Sequence, residues 1–515
     1  LEKDVIAQAF SRAQDQGVDG WVFDLQFPTY WAVMTQADCP ELREVFYRAW
    51  VTRGSDNSDF MPKWNNSTLM VNILKNRIKL AKIMGYNDYA SYAMQQRMCK
   101  TSADALSLLE SLADKAHNSA KLQWSELQDF AMAKEGAGFK LNCVDLLYYA
   151  QKMKQDKYGV SDALLRPYFP IDRVLNGLFK VISRLFKVEV VELDNKNNID
   201  QNIDQNIDQN IDIVQSAFYH PDVKVIKINN SYIILDLFAR PGKRGGAWMN
   251  DMTSYMRLAN SVDKNLKYNK HVYPVATITC NFQGVMPGQK TALLTHDDVV
   301  TLFHEMGHAL QHVLTDVDYL SISGISHVPW DAVEVCSQFL ENYCWGKDMI
   351  AELSCHIETS EPLPDKILDK LIGARRFNAA LNLLRQVQFA SFDLLLHINK
   401  DVSKVNLNMI QENINNMRKR FQVYPAKDYD RFQHGFSHIF AGGYAAGYYS
   451  YLWAEMISCH IFSCFVNHGI FNQELAQSLK KYFYASGGSI DFAELMQLFC
   501  GESVEIKHLL QHYGI

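Results

Sequence analysis

The residues best suited to chemistry are those of His304-Glu305-Met306-Gly307-His308. Positions four apart share one face of a helix, so His304 and His308 can present two imidazoles to one metal ion. Glu305 follows His304 directly and can reach a water molecule held by that ion. This spacing is typical of zinc sites in which the glutamate acts as a general base. The alternative is a pair of ordinary core histidines.

A catalytic zinc site needs a third protein ligand and an open coordination position. His312 is excluded as that ligand, because eight residues of helix would separate it from His304 by about 12 Å. The metzincin pattern is also excluded, since Gln311 and Leu314 stand where its glycine and third histidine would be. The third ligand must therefore come from another segment.

The segment that follows offers acids on one helical face. A second helix is predicted to begin around residues 329–331, which would align Glu334, Gln338 and Glu341. We predict Glu334 as the third ligand. Glu341 and Asp331 are candidates to orient the histidines through hydrogen bonds. The alternative for either of these two acids is a solvated position at the surface.

A third segment is rich in tyrosine. It follows the glycine pair Gly442-Gly443, and a helix there would place Tyr444, Tyr448 and Tyr451 on one face. A phenol can donate a hydrogen bond to an oxyanion without carrying charge. The alternative is an aromatic helix packed in the core.

Several elements must position these residues. The motif helix is predicted to begin at Thr295, with Asp298 completing its cap. The β-rich runs 223–228 and 232–238, separated by Asn-Asn-Ser, predict a hairpin, and residues 272–282 predict a further strand. A small sheet therefore precedes the motif helix.

Most of the remaining chain has helical periodicity. Apolar residues recur at helical spacing in 68–85, 104–133 and 366–398, and Gly85 is a helix-ending signal. These stripes are predicted to pack in the core. Residues 198–212 repeat Asn-Ile-Asp-Gln, a low-complexity pattern that predicts an inserted surface loop.

Composition excludes several classes of protein. The chain has 515 residues, a net charge of -6 and no cluster of lysine and arginine, so no nucleic-acid partner is expected. The sequence contains no run of eighteen apolar residues, so it predicts no transmembrane helix. The ten cysteines are scattered and the first residues lack a signal-peptide pattern. We therefore expect a cytoplasmic protein with reduced thiols.

Together these segments resemble the thimet oligopeptidase and neurolysin family of zinc metallopeptidases, with the nearest likeness to its bacterial oligopeptidase A branch. The likeness runs over essentially the whole chain. It is carried by the stretches 304–308, 323–334, 339–342 and 436–453, with shorter likenesses at 165–170, 243–249 and 512–515.

The resemblance implies a fold and a set of roles. The fold would be mainly α, a two-lobed neurolysin-like helical fold with a deep central channel and a small β-sheet beside the zinc-binding helix. One Zn²⁺ per chain is expected. The implied roles are metal ligation by His304, His308 and Glu334, catalysis by Glu305, Tyr451 and Tyr444, and substrate binding by His438 and Tyr448.

The resemblance also implies a domain division and a function. Residues 1–41 would be the remnant of an amino-terminal helical region of which the rest is missing, and 42–515 the catalytic domain carrying the insertion. The expected activity is cleavage of internal bonds in short peptides, including fragments such as cleaved signal peptides, by a monomer. Substrate backbone would add to the sheet edge near residues 277–282.

Two other functions remain open. A dipeptidyl carboxypeptidase of the same family would need a cationic anchor for the terminal carboxylate of its substrate, and no sequence feature places one. A non-catalytic, zinc-stabilised peptide-binding protein would have no use for a base at position 305.

Overall fold

A computed structural model describes residue 1 and residues 3–58, 62–193, 210–240, 242–257, 271–285 and 289–515. These residues form two compact units. The first contains 1–159, 373–452 and 511–515, and the second contains 160–372 and 453–510. Helices far outnumber strands, which confirms the prediction of a mainly helical protein. The deep channel remains a prediction.

The first unit is helical, and a pair of long helices packs together within it. The longest helix, Ser102–Glu135, begins where the Thr101 hydroxyl accepts a hydrogen bond from the Asp104 amide, and it packs against Ala379–His397. Buried alanines on the long helix allow the close packing. The other helices of this unit are Lys3–Asp15, Phe27–Gln36, Pro40–Val51, Ser67–Ile83, Tyr89–Ala93, Leu146–Tyr158, Leu407–Phe421 and Ser437–Phe440.

The second unit combines shorter helices with a sheet. Three further helices contain a boundary between the units: Asp365–Ala374, Ser450–His468 and Ile506–Tyr513. The helices that lie wholly in the second unit are Asp162–Leu165, Ile171–Phe186, Ile211–Ser216, His296–Val313, Val335–Glu341, Lys347–Leu353, Gln473–Leu479 and Phe492–Cys500.

A five-stranded sheet lies beside the His296–Val313 helix. The described strands are β1 Val190–Leu193, β2 Lys224–Ile228, β3 Ser231–Phe238, β4 Trp248–Thr253, β5 Met256–Arg257, β6 His271–Val272 and β7 Val275–Phe282. The order in the five-stranded sheet is β1-β2-β3-β7-β4, in which β3 and β7 are parallel and the other neighbours are antiparallel. The two-residue strands β5 and β6 form a separate antiparallel pair.

The sheet confirms the predicted hairpin and corrects the predicted edge. β2 and β3 are joined through Asn229, whose φ of 53° suits the tight connection. Thr277 in β7 pairs with Ile234 on one side and Asn250 on the other. The expectation of a free edge near 277–282 is therefore wrong over the paired part of β7, because β4 covers it.

Two predicted helices are also corrected. The stretch 366–398 is broken into two helices because Asn378 adopts a left-handed φ of 57°. The helix expected from residues 329–331 begins at Val335 instead, and the residues before it form turns. By contrast, the predicted helix 68–85 is confirmed as Ser67–Ile83, followed by Gly85 at a φ of 86°.

Residues 1–41 share a hydrophobic core with the rest of the first unit. Tyr30 and Val33 pack in one buried cluster with Phe46 and Val144. The buried guanidinium of Arg43 donates a hydrogen bond of 2.6 Å to the carbonyl oxygen of residue 37. It also forms an ion pair with the carboxylate of residue 145. The domain division proposed at residue 41 stays a prediction.

Most of the Asn-Ile-Asp-Gln tract, residues 198–209, lies outside the described residues. Its last part belongs to the folded second unit. Asn210 is buried, and its side-chain amide donates a hydrogen bond of 2.9 Å to the carbonyl oxygen of Tyr273. A helix begins at the next residue. No described helix is both long enough and apolar enough to span a membrane.

Candidate active site

The motif helix, His296–Val313, is fixed at its start by a reciprocal cap. The hydroxyl of Thr295 accepts from the Asp298 amide at 3.0 Å, and the carboxylate of Asp298 accepts from the Thr295 amide at 2.9 Å. Val299 and Leu302 are fully buried below the motif. The cap and this apolar face confirm the predicted helix and fix the direction of its histidines.

A second helix crosses the motif helix at Gly307. A methyl group on Gly307 would lie 2.5 Å from the Cα atom of Ser337 and 2.6 Å from the carbonyl oxygen of Cys336. No L side chain fits in this space, so the two backbones meet directly. This close approach brings Glu334, the residue before the second helix, towards the histidines of the motif.

Three ligand atoms converge at this crossing. The Nε2 atoms of His304 and His308 lie 3.2 and 3.0 Å from the same carboxylate oxygen of Glu334. Within the described ranges, these three residues are the group that could hold a metal ion, with all ligand atoms inside 4.8 Å. Two imidazoles and one carboxylate, largely buried, match the ligand set of a catalytic zinc site.

A further acid fixes the orientation of one histidine. The Nδ1 atom of His304 lies 2.6 Å from the Glu341 carboxylate, so its Nε2 atom is directed at the cluster. The expectation for Glu341 is therefore confirmed. The Nδ1 atom of His308 has no hydrogen-bond partner in the described part of the chain. The orienting contact expected of Asp331 is thus not formed with this histidine.

The electrostatics favour a bound cation. Burial alone would raise the pKa of Glu334, but His308 and His304 hold it well below its usual range. Burial disfavours the charged form of His304, yet the hydrogen bonds that its ring donates to the Glu334 and Glu341 carboxylates raise its pKa. The carboxylates of Glu334 and Glu341 therefore place negative charge at this cluster, and a divalent cation bound there would balance it.

Glu305 is buried beside this cluster and one of its carboxylate oxygens has no hydrogen-bond partner among the described residues. Burial raises its pKa, and the neighbouring histidines act in the opposite direction. A carboxylate whose pKa is raised above its usual value is a better proton acceptor at neutral pH. The geometry thus suits a general base.

The tyrosine segment belongs to the first unit and forms an aromatic group. Tyr444 stacks on Tyr451 with ring centroids 5.0 Å apart, and Tyr448 lies 5.3 Å from Tyr451. His438 lies 5.6 Å from Tyr448. The predicted common helix is wrong, because the helix begins only at Ser450 and the preceding residues form turns.

A buried carboxylate holds this turn in place. Asp393 accepts hydrogen bonds from three consecutive backbone amides, those of Ala446, Gly447 and Tyr448, at 2.7 to 2.9 Å. Arg97 donates to the carbonyl of Ala446 on the other side. A methyl group on Gly447 would lie 2.9 Å from the Arg97 guanidinium, so the end of the Arg97 side chain would have to move.

Sequence reasoning missed Asp393, because its helix was interpreted as uniform core packing. A signal was present. Asp393 and His397 stand four positions apart within an otherwise apolar run, and their side chains form a buried contact of 2.9 Å. Buried polar side chains are nearly always hydrogen-bonded, so a polar pair in an apolar run indicates partners elsewhere in the fold.

Comparison with known proteins identifies the family. The sequence profile of peptidase family M3 matches residues 33–515. The chain belongs to this family. It is 40% identical to oligopeptidase A of Escherichia coli (strain K12) over 522 residues, which is 100% of this chain and 72% of that protein. The family assignment makes the chain a metallopeptidase.

Two further relatives define how far the likeness extends. Dipeptidyl carboxypeptidase of E. coli (strain K12) is 28% identical over 528 residues, covering 100% of this chain and 71% of that protein. The solved structure of PZ peptidase A with an inhibitor matches with a TM-score of 0.59 and 14% identity, covering 100% of this chain and 76% of that one. This last match supports the fold.

We predict that Gly307→Ala weakens metal binding and lowers the melting temperature. The added methyl group meets backbone on the facing helix, so the two helices must separate, at a cost of about 1–3 kcal/mol or more. Thermal unfolding and metal content measure both effects. Gly138→Ala is the control, since no atom lies within 4 Å of its methyl position. A metal content and melting temperature in Gly307→Ala equal to those of the wild-type protein would contradict the close-approach account.

Proposed function

We propose that this protein is a zinc-dependent endo-oligopeptidase that hydrolyses internal bonds of short peptides, including fragments such as cleaved signal peptides. The observation that carries the proposal is the buried group of His304, His308 and Glu334 beside Glu305, in a chain of family M3. Each role assigned below is part of the proposal.

In this proposal His304, His308 and Glu334 hold one Zn²⁺ per chain. When bound, the ion supplies Lewis-acid polarisation of the scissile carbonyl and lowers the pKa of a coordinated water. Glu341 holds the His304 ring so that its Nε2 atom faces the ion. Glu305 accepts a proton from the attacking water and then delivers it to the leaving amine.

The tyrosines would act on the substrate. We assign Tyr451 and Tyr444 as neutral donors to the developing oxyanion, and His438 and Tyr448 as substrate-binding residues. Burial raises the pKa of Tyr448 to about 12, so its hydroxyl stays protonated at neutral pH. Partial burial lowers the pKa of His438, which favours a neutral ring. Both residues therefore bind without adding charge.

The two other functions fit less well. Identity to the carboxypeptidase is 28%, against 40% to oligopeptidase A, which favours cleavage of internal bonds. A non-catalytic binding protein is opposed by the family assignment and by a buried acid at position 305 that is not part of the ligand group. We further propose a monomer in the cytoplasm, in keeping with ten cysteines that form no disulfide in the structure.

We predict that Glu305→Gln retains zinc and peptide affinity but loses about 10²–10⁴-fold in the rate of the chemical step, because an amide cannot accept the water proton. Single-turnover cleavage of a short peptide, measured beside metal content, tests this. The control is Glu412→Gln, an exposed glutamate on the Leu407–Phe421 helix. Cleavage by Glu305→Gln at the wild-type rate would remove Glu305 as the base.

We predict that Tyr451→Phe lowers the single-turnover rate by about 10²-fold with little change in substrate affinity, because the ring remains and one oxyanion donor is lost. Tyr319→Phe, at an exposed tyrosine, serves as the matched control. If Tyr451→Phe instead raises the dissociation constant and leaves the chemical rate unchanged, Tyr451 is a binding residue only.

A further inference from the structure

The first unit contains a cavity of about 320 Å³, and most of the residues in its wall have no role in the proposal above. Its volume falls at the lower end of the range for small-ligand sites. Aromatic rings form much of its wall. Tyr30 stacks on Trp50 at 4.2 Å, and Phe389 stacks on Phe432 at 4.8 Å. The walls suit an apolar or aromatic side chain.

Two guanidinium groups on the wall lack an acidic partner within the described ranges. Arg53 lies 3.3 Å above the ring of Trp50 and donates to the carbonyl oxygen of that residue. Arg385 is exposed and lies 5.4 Å from the ring of Phe389. Neither forms a salt bridge with any described carboxylate. The cavity therefore carries uncompensated positive charge.

Among the described residues of the wall, Asp430 carries the one carboxylate, and this carboxylate is already paired with a cation. Asp430 forms an ion pair of 2.8 Å with Arg418 and also accepts a hydrogen bond from the Phe432 amide. Burial raises the pKa of Tyr30, while Arg385 and then Arg53 act in the opposite direction, so both cations lie near that phenol. A guest with a negative charge thus meets two cations and a neutral hydroxyl.

The cavity is continuous with residues assigned to the substrate. His438 and Tyr448 both form part of its wall. Tyr448 lies 5.0 Å from Phe436 and 6.0 Å from Phe389, and Arg385 also acts to lower the pKa of Tyr448. A peptide held by His438 and Tyr448 therefore has the cationic cavity directly beside it.

We propose that this cavity is a subsite for a carboxylate of the peptide substrate, with Arg385 as the main contact and the aromatic wall receiving the neighbouring side chain. The proposal rests on the proposed peptidase function. A guanidinium can bind a carboxylate through two parallel hydrogen bonds, which gives direction as well as charge. The carboxylate can be the carboxyl terminus of a short peptide or an acidic side chain.

The two sources are distinguished with three octapeptides that share one sequence containing a phenylalanine at position seven. One ends in a free carboxylate, one ends in an amide, and one ends in an amide but has a glutamate in place of the glutamine at position six. Dissociation constants are measured by fluorescence anisotropy for each peptide in the Glu305→Gln background. The readout is the affinity ratio of each charged peptide to the neutral amide.

We expect the protein to bind at least one charged peptide about fivefold more tightly than the neutral amide, which is the upper end of what an ion pair contributes at a solvent-accessible site. Adding Arg385→Gln should bring that ratio to about one, and Arg385→Lys should restore part of it. The ratio should also fall as salt is raised. Arg385 is exposed, so its replacement leaves the core intact.

The control is Lys419→Gln, an exposed cation of the first unit that lies outside the cavity wall. It should keep the wild-type ratio. No preference for either charged peptide, or an equal preference in Arg385→Gln, would overturn the subsite. Cleavage of the same peptides by the wild-type protein is scored separately: a protein that cuts none of them contradicts the proposed function, whatever the binding ratios are.

Discussion

The contact between the motif helix and the helix after Glu334 constrains the candidate site. Glycine at 307 lets the two backbones meet, and the meeting places one carboxylate against two imidazoles in a buried position. A buried carboxylate is costly unless cations or hydrogen bonds compensate it. The geometry therefore favours positive charge at this point, which a divalent metal ion would supply together with an open coordination position.

The first unit uses a second buried carboxylate for a different purpose. The tyrosine segment is irregular, so the regular hydrogen-bond pattern of a helix or strand does not pair its amides, and unpaired buried amides are costly. The Asp393 carboxylate accepts hydrogen bonds from three of these amides, and the Arg97 guanidinium donates a hydrogen bond to the carbonyl oxygen of Ala446. These hydrogen bonds fix the irregular turn, which suits rings that must keep a fixed arrangement.

Some features of the fold and of the site can be predicted from short stretches of sequence alone. The cap of the motif helix, the hairpin before it and the shared face of His304 and His308 depend on residues within a few positions of each other. The late start of the helix after Glu334, the turn that gathers Tyr444 and Tyr448, and the covered edge of β7 depend on packing between distant segments. Periodicity carries no information about such contacts, which is why the predictions failed there.

The most direct test of the account is the position of the metal ion in crystals of the wild-type protein grown with zinc, located by anomalous scattering at the zinc absorption edge. The account predicts one strong site per chain, with Nε2 of His304, Nε2 of His308 and a carboxylate oxygen of Glu334 as ligands at about 2.0–2.2 Å. A zinc ion bound elsewhere, or one bound to both histidines with Glu334 turned away, would contradict the account.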